Sequence, residues 1–189
     1  AIRVSKSLFR QIITTLNAFL IAMSELLLQA RSIDDTNRVG RSLAEHLPDG
    51  VTISLNGPLG AGKTRLTQAI AVACGIPINL VLSPTFVLCR LYEGERTIAH
   101  LDAYRIQDDD EFLELGVEEY FGFSSITLVE WGDRVANCLP STRIDIRISI
   151  REDDIRHFQF SSQDPCFEGV ARGLTGDCGH LICNDPGRC

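Results

Sequence analysis

The residues from Gly57 to Thr64 have the types and spacing of a phosphate-binding loop. They read Gly-Pro-Leu-Gly-Ala-Gly-Lys-Thr and match the pattern G-x-x-x-x-G-K-[ST]. Glycines let successive backbone N–H groups approach a polyphosphate, while Lys63 can bridge the β- and γ-phosphates and the Thr64 hydroxyl can bind Mg²⁺. The loop is therefore predicted to bind a nucleoside triphosphate, through Gly57, Gly60, Ala61, Gly62, Lys63, Thr64 and Arg65.

Two carboxylates stand where a metal ligand or a catalytic acid of such a site belongs. Asp102 follows an apolar strand predicted over Arg96–Leu101, and Glu130 follows another over Ile126–Val129. In open α/β sheets ligands bind outside the carboxyl ends of the strands, so both side chains are predicted to face the nucleotide. For either acid the alternative is a structural role, in which it caps a backbone group or pairs with an arginine.

A short segment, Ser83-Pro84-Thr85-Phe86, follows the helix that the loop begins. Proline disfavours helical structure in the residue before it, so Ser83 and Thr85 are expected in an extended loop. A hydroxyl at this point of a phosphate-loop protein can sense the γ-phosphate, which makes Thr85 a candidate; an ordinary turn is the equal alternative. Arg105 and Arg134 could hold phosphates or form surface ion pairs.

The elements that position the loop can be read from apolar periodicity. Val51–Leu55 is typical of a short buried strand, and Thr64–Ala73 has the spacing of a helix. Upstream, a helix is expected over Arg38–Leu47, with Asp34 or Asp35 as its cap. A strand followed directly by a glycine-rich turn and a helix is the context that this motif requires.

The remaining periodic segments predict strands. Ser24–Ala30 is a candidate edge strand, although its composition is equally helical. Residues 86–101 read as a hairpin, and Arg143–Ile150 alternates strictly before a partner strand with Phe158 and Phe160. Together these elements predict an α/β fold, a P-loop NTPase-like three-layer sandwich. Its sheet is expected to be mixed, with an antiparallel C-terminal hairpin.

Composition limits the classes of protein. The net charge of −7 gives no global basic field to hold nucleic acid, so any RNA contact should be local or shared with a partner. Lys6 and Lys63 are the two lysines among 18 basic residues, which leaves none for the Asn-Lys-x-Asp segment of a Ras-like GTPase. Seven cysteines without a convincing export signal suggest the reducing cytoplasm, and no apolar run is long enough for a membrane span.

Three regions are expected along the chain. Residues 1–22 form a basic leader, interpreted as an upstream extension, a disordered segment or a transit peptide, with Met23 a candidate start. Residues 23–162 are the predicted ATPase domain, and 163–189 a Cys/Gly-rich tail for which an unstructured segment is favoured over an ordered one. A zinc site in that tail is the alternative, built from Cys166, Cys178, His180, Cys183 and Cys189.

Taken in chain order, five segments resemble the bacterial TsaE (YjeE) family, small P-loop ATPases of the tRNA threonylcarbamoyladenosine pathway. They are NGPLGAGKTRLTQAIA, SPTF, HLDAYR, EFLELGVEEYF and LVEWGDR. The loop alone is generic, but SPTF, HxDxYR and VEW at these separations are specific, and the resemblance covers roughly Ile33–Ile150. The leader and the tail have no obvious counterpart, and Pro58 stands where the family commonly has Asp.

The resemblance implies a function and a set of roles. The family hydrolyses ATP, and its partner TsaD, working with TsaB, transfers a threonylcarbamoyl group to the adenosine beside the tRNA anticodon. The nucleotide base would lie near residues 33–36. By the same resemblance, Lys63 holds phosphate, Thr64 and Glu130 ligate Mg²⁺, Asp102 is essential to hydrolysis and Thr85 belongs to a switch-like loop.

Two other classes share these motifs. A small-molecule kinase would carry the same loop and strand-end acids, but kinases usually close an arginine-rich lid over the phosphates. The candidate lid, Asp108–Glu119, has seven acids and no arginine, which argues against a kinase. A nucleotide-dependent binding module with incidental hydrolysis is the second rival, and variants of the two strand-end acids would separate it from an ATPase.

Overall fold

A seven-stranded sheet organises the part of the chain that the structure describes, residues 25–122 and 124–183 of a computed structural model. The strands are β1 (Glu25–Ala30), β2 (Thr52–Asn56), β3 (Cys89–Tyr92), β4 (Ile98–Asp102), β5 (Ile126–Glu130), β6 (Ile144–Ile150) and β7 (Arg156–Ser162). The α-helices are α1 (Ile33–His46), α2 (Lys63–Ala73), α3 (Asp109–Leu113) and α4 (Phe167–Asp177). The predicted leader, Met23 and Cys189 lie outside the described residues.

The sheet is mixed, as predicted, with the spatial order β1-β7-β6-β2-β5-β4-β3. The four central strands β6, β2, β5 and β4 pair in parallel, while β3 pairs antiparallel with β4. β6 and β7 form the predicted antiparallel C-terminal hairpin, and β1 is the predicted edge strand, paired antiparallel with β7. The strand that precedes the phosphate loop, β2, is therefore in the centre of the sheet.

Helices cover both faces, which confirms the three-layer arrangement. Every residue of β2, β4 and β5 is buried, as parallel strands with two covered faces require. On one face α1, α2 and α4 pack over a large apolar core. On the other, Phe112 of α3 and Val117 pack with Leu101 and Val129, so the third layer consists of short helices and turns.

The cap of α1 differs from the sequence prediction. Ser32, not Asp34 or Asp35, is the N-cap residue, and its hydroxyl accepts a hydrogen bond from the Asp35 N–H at 3.1 Å. The Asp35 carboxylate reaches back and accepts from the Arg31 N–H at 2.9 Å. The second bond goes to the residue before the cap, so the pair resembles a capping box displaced by one residue. The helix begins five residues before the predicted Arg38.

The prediction of an unstructured tail is wrong for residues 167–181, because α4 and the turn Gly179–Leu181 lie there. Phe167, Val170, Ala171 and Leu174 recur with helical spacing and are buried. Four apolar side chains therefore form one helix face within a segment whose glycines and aspartates suggest a loop.

α4 is attached to α1 by polar contacts as well as by apolar packing. The Asp177 carboxylate accepts hydrogen bonds from the Ser42 hydroxyl at 2.8 Å and from His46 Nε2 at 2.9 Å. Gly173 lies against the His46 ring, where any Cβ would collide with the imidazole. None of the described helices has the length and apolar character that crossing a membrane requires.

Candidate functional site

The phosphate loop connects β2 to α2 in the strand–loop–helix order that the motif predicts. Gly57, Gly60 and Gly62 have φ values of 141°, 78° and 107°, in the region that favours glycine. A Cβ on Gly57 would collide with the carbonyl oxygen of Ile148 in β6. The loop is thus held against a neighbouring strand, and its backbone conformation depends on these glycines.

Lys63 is the first residue of α2 and is buried. Its ammonium group donates hydrogen bonds to the carbonyl oxygens of Gly57 at 2.8 Å and Pro58 at 3.0 Å, and lies 3.7 Å from the centroid of the Trp131 ring. Burial lowers the pKa of Lys63, while the carboxylates of Glu130 and Asp102 oppose that effect. The Lys63 ammonium group therefore lies inside the loop, where its hydrogen-bond acceptors are uncharged carbonyl oxygens.

The next residue, Thr64, contacts one of the predicted acids. Its hydroxyl donates to Glu130 Oε1 at 2.7 Å. Glu130 ends β5 and lies in register with Asp102, which ends the adjacent β4. Both carboxylates are buried, with 3% relative exposure each. The structure thus brings Lys63, Thr64, Asp102 and Glu130 together at the carboxyl ends of parallel strands, as expected for a ligand site.

Asp102 is held by the Ser83–Thr85 segment. Its Oδ2 accepts hydrogen bonds from the Thr85 hydroxyl at 2.6 Å and the Ser83 hydroxyl at 2.9 Å, and its Oδ1 accepts from the Tyr104 N–H at 2.9 Å. The segment is therefore connected to the site by side-chain contacts and is more than an ordinary turn. The neighbouring Phe86 is 86% exposed.

Arg65 lies on the other side of the loop, beside α1. Its guanidinium donates to Asn37 Oδ1 at 2.6 Å, and its buried Nε has no hydrogen-bond partner among the described residues. A cavity of about 400 Å³ opens next to it, lined in part by Ile33, Thr36 and the loop residues Gly60–Gly62. Residues 33–36, near which the nucleotide base is expected, thus lie on the opposite side of this cavity from the loop. The cavity is large enough for a nucleoside moiety.

Trp131 follows Glu130 in a left-handed conformation, with φ of 59°. Such a backbone is uncommon for a bulky residue and turns the ring back over the site. The indole contacts Lys63, and its ring centroid is 5.1 Å from that of Tyr104. Trp131 therefore lines the site.

The two arginines considered for phosphate binding are engaged elsewhere. Arg134 donates to the Ile106 carbonyl oxygen at 2.8 Å, and the Arg105 guanidinium lies 5.1 Å from the centroid of the Phe86 ring. Among the described residues neither arginine forms a hydrogen bond with the loop. Lys63 lies within the loop, and Arg65, Arg31 and Arg156 line the cavity beside it.

His100 was not among the predicted site residues. It lies within β4, is fully buried, and its Nε2 is 2.9 Å from Glu130 Oε1, the same oxygen that Thr64 contacts. The available signal was the HLDAYR segment, where His100 and Asp102 share a strand face because they are two residues apart. Sequence alone did not show that this face also meets Glu130.

The residues present fit a nucleotide with Mg²⁺. The glycine cradle leaves room for phosphates, and the hard oxygen donors of Thr64 and Glu130 suit Mg²⁺. Cys189 of the zinc alternative lies outside the described residues, and its described members Cys166, Cys178, His180 and Cys183 do not form a metal-binding group. Within residues 25–122 and 124–183, the cluster with metal-ligand proximity is Glu45, His46 and Asp177, all exposed.

Comparison with known proteins agrees with this geometry. The family model described as "Threonylcarbamoyl adenosine biosynthesis protein TsaE" matches residues 30–158. The chain is 35% identical over 127 residues to the tRNA threonylcarbamoyladenosine biosynthesis protein TsaE of Treponema pallidum, covering 67% of this chain and 93% of that protein. It is 32% identical over 154 residues to the Bacillus subtilis protein of the same name, covering 81% and 96%.

A solved structure has the same fold. The crystal structure of YdiB from Bacillus subtilis superposes with a TM-score of 0.67 at 26% identity, covering 80% of this chain and 95% of that one. The residues that the family model matches, 30–158, include the phosphate loop, both strand-end acids and the Ser83–Thr85 segment. On sequence and fold together, the chain belongs to the TsaE family.

Proposed function

We propose that this chain is the ATP-binding and ATP-hydrolysing component of a tRNA N6-threonylcarbamoyladenosine modification system. The relatives that it matches are named as tRNA threonylcarbamoyladenosine biosynthesis proteins. Its hydrolysis of ATP would support repeated turnover of a TsaD/TsaB-type transferase in the cytoplasm, and its contact with tRNA would be local or indirect.

The observation that carries the ATPase assignment is the contact between Thr64 Oγ1 and Glu130 Oε1 at 2.7 Å, with Asp102 in register beside it. A loop that only bound phosphate would need neither buried acid. Burying two carboxylates beside one another costs free energy unless something compensates their charge. A divalent cation bound with a nucleotide compensates both.

Each residue has a distinct role in this proposal. Lys63 exchanges its two carbonyl acceptors for phosphate oxygens, which are stronger acceptors because they are charged. Thr64 and Glu130 would hold Mg²⁺, which supplies charge neutralisation at the phosphates when bound. Asp102, once free of the Thr85 and Ser83 hydroxyls, orients the attacking water and accepts its proton.

The test is ATP hydrolysis by the full chain with Mg²⁺, alone and with TsaD- and TsaB-type partners and tRNA. We expect slow hydrolysis alone and a faster rate with the partners. Glu130→Gln should lose most of the activity, whereas Glu118→Gln, which removes an equal charge from an exposed position, should keep it.

Three outcomes would contradict the proposal. Fast ATP hydrolysis at a rate that the partners and tRNA do not change would contradict the assignment to tRNA modification. Phosphorylation of a small acceptor would make the chain a kinase. Full multiple-turnover modification by Glu130→Gln would reduce the chain to a nucleotide-dependent binding module.

A further inference from the structure

Among the described residues, the buried imidazole of His100 makes one hydrogen bond, and its partner is Glu130 of the site. Its Nε2 lies 2.9 Å from Glu130 Oε1, and both side chains are almost completely buried, with relative side-chain exposures of 0% and 4%. In the register of β4 and β5, His100 pairs with Leu128 and Asp102 pairs with Glu130. His100 therefore contacts Glu130 diagonally across the two strands, from a position two residues before the end of β4.

The direction of this hydrogen bond follows from its partners. A carboxylate oxygen is an acceptor, so the tautomer that satisfies this contact is the one in which Nε2 donates. The other ring nitrogen, Nδ1, is buried and has no partner in the described part of the chain. The imidazole thus gains its polar contact through Glu130 alone, although a leucine of similar size would fill the same apolar space without any unsatisfied atom.

Because of this hydrogen bond, the two carboxylate oxygens of Glu130 have different surroundings. Oε1 accepts from both His100 and Thr64, at 2.9 Å and 2.7 Å. Within residues 25–122 and 124–183, both hydrogen bonds to the Glu130 carboxylate go to Oε1, and none goes to Oε2. Two donors on one oxygen fix the rotation of the carboxylate and leave the second oxygen for a ligand from outside the chain.

We propose that His100 is a positioning residue that holds Glu130 in the orientation needed for the metal–nucleotide complex. It acts through Glu130 and touches neither nucleotide nor metal. The inference rests on the proposed Mg²⁺-dependent ATP site and assigns that site a further residue.

Two substitutions separate positioning from packing. His100→Leu keeps the apolar volume and removes the donor. His100→Gln places an amide N–H near the position of Nε2 and so keeps a donor to Glu130. If His100 only fills the core, both variants behave alike, or Leu is the better replacement.

The measurement is ATP affinity by calorimetry, with excess Mg²⁺ and with a chelator, for the full chain and both variants. We expect His100→Leu to lose about tenfold or more of the affinity gained from Mg²⁺, the range known for residues that orient metal ligands. Its affinity without Mg²⁺ should stay within about twofold of the parent. His100→Gln should keep most of the gain, and thermal unfolding would verify that both variants are folded.

A double-variant cycle tests whether the effect passes through Glu130. In a Glu130→Gln background, His100→Leu should change the Mg²⁺-dependent affinity by less than about twofold, because the side chain that it positions is already altered. An equal loss in both backgrounds, an unchanged gain in His100→Leu, or equal losses for Leu and Gln would each overturn the inference.

The Mg²⁺ dependence of ATP binding to the unsubstituted chain, the parent, distinguishes failure of this inference from failure of the proposed function. If Mg²⁺ does not tighten ATP binding to the parent, the metal site itself is wrong and the inference falls with it. If Mg²⁺ tightens binding equally in the parent and in His100→Leu, the proposed site stands and only the positioning role is refuted.

Discussion

The ammonium group of Lys63 lies 3.7 Å from the centroid of the Trp131 ring, so any movement of this cation towards a bound phosphate would change that contact. Trp131 is the one tryptophan in the sequence, so its fluorescence reports this position alone. We expect ATP to change the emission with a saturable dependence on concentration, because a cation then leaves the ring face or moves across it. Steady-state fluorescence titration of the full chain measures the effect.

A matched variant identifies the source of that signal. Lys63→Met keeps much of the aliphatic stem and removes the charge, so its Trp131 emission should differ before ATP is added and should change little afterwards. The same saturable change in Lys63→Met would show that the signal arises from another movement.

Asp102→Asn tests the strand-end acid. The amide is isosteric and can still accept from the Thr85 hydroxyl, which bonds Asp102 at 2.6 Å, but it cannot take a proton from water. We expect ATP affinity within about threefold of the parent and hydrolysis slower by about 10²-fold or more. Phosphate release under single-turnover conditions, together with calorimetric binding, measures both quantities.

The opposite pattern in Asp102→Asn would assign the residue a different role. A large loss of affinity with an unchanged rate of hydrolysis would make Asp102 a binding residue. Asp110→Asn, which neutralises a carboxylate of α3 instead, serves as the control for the loss of one negative charge.

His157 should make stability depend on pH. Burial, assisted by the nearby Arg151 cation, lowers the pKa of His157 from its usual 6.5. Between 6.5 and the lowered value the unfolded chain binds the proton and the folded chain does not. The free energy of unfolding therefore decreases as the pH falls through that window, and this loss is complete below the folded-state pKa.

Urea unfolding at a series of pH values between about 5 and 8 measures this dependence. His157→Gln cannot titrate, so its stability should decrease less steeply than that of the parent over the same range. His180→Gln, at an exposed histidine for comparison, should keep the steep dependence. Parallel curves for the parent and His157→Gln would rule out His157 as the cause.

Leu174 tests whether α4 stabilises the domain. Its side chain is fully buried between α4 and the core beside α1. Leu174→Ala should lower the free energy of unfolding by about 2–5 kcal/mol, through lost burial and the cavity that remains. Arg172→Ala, at an exposed position of α4, should change it by less than about 0.5 kcal/mol. Equal stability of all three proteins in urea would mean that α4 is dispensable.

The parts of the site that sequence predicts are those encoded by short patterns. The loop, Asp102 and Glu130 each lie next to the strand that positions them, and a parallel strand buried on both faces is easy to recognise as an apolar run. The mixed sheet follows from the same runs together with the strict alternation of β6.

The parts that sequence does not predict depend on contacts between distant segments or on weak local signals. The hydrogen bond from His100 to Glu130 exists only because β4 and β5 are neighbours in one register. α4 escapes detection because four apolar residues form its buried face among glycines and cysteines. The sequence does not single out Ser32 as the cap, because Asp34 and Asp35, which follow it, are equally good capping types.

The central position of β2 also has a consequence for biosynthesis. β2 and the phosphate loop leave the ribosome well before β5, whose Thr127 and Glu130 pair with Thr52 and Leu55. The β6–β7 hairpin joins neighbouring segments and closes quickly, whereas parallel pairing across a long stretch of chain is slow because loop-closure entropy opposes it. A nascent chain therefore carries a phosphate loop before it has Glu130, and the proposed metal–nucleotide site is completed late, when β5 inserts between β2 and β4.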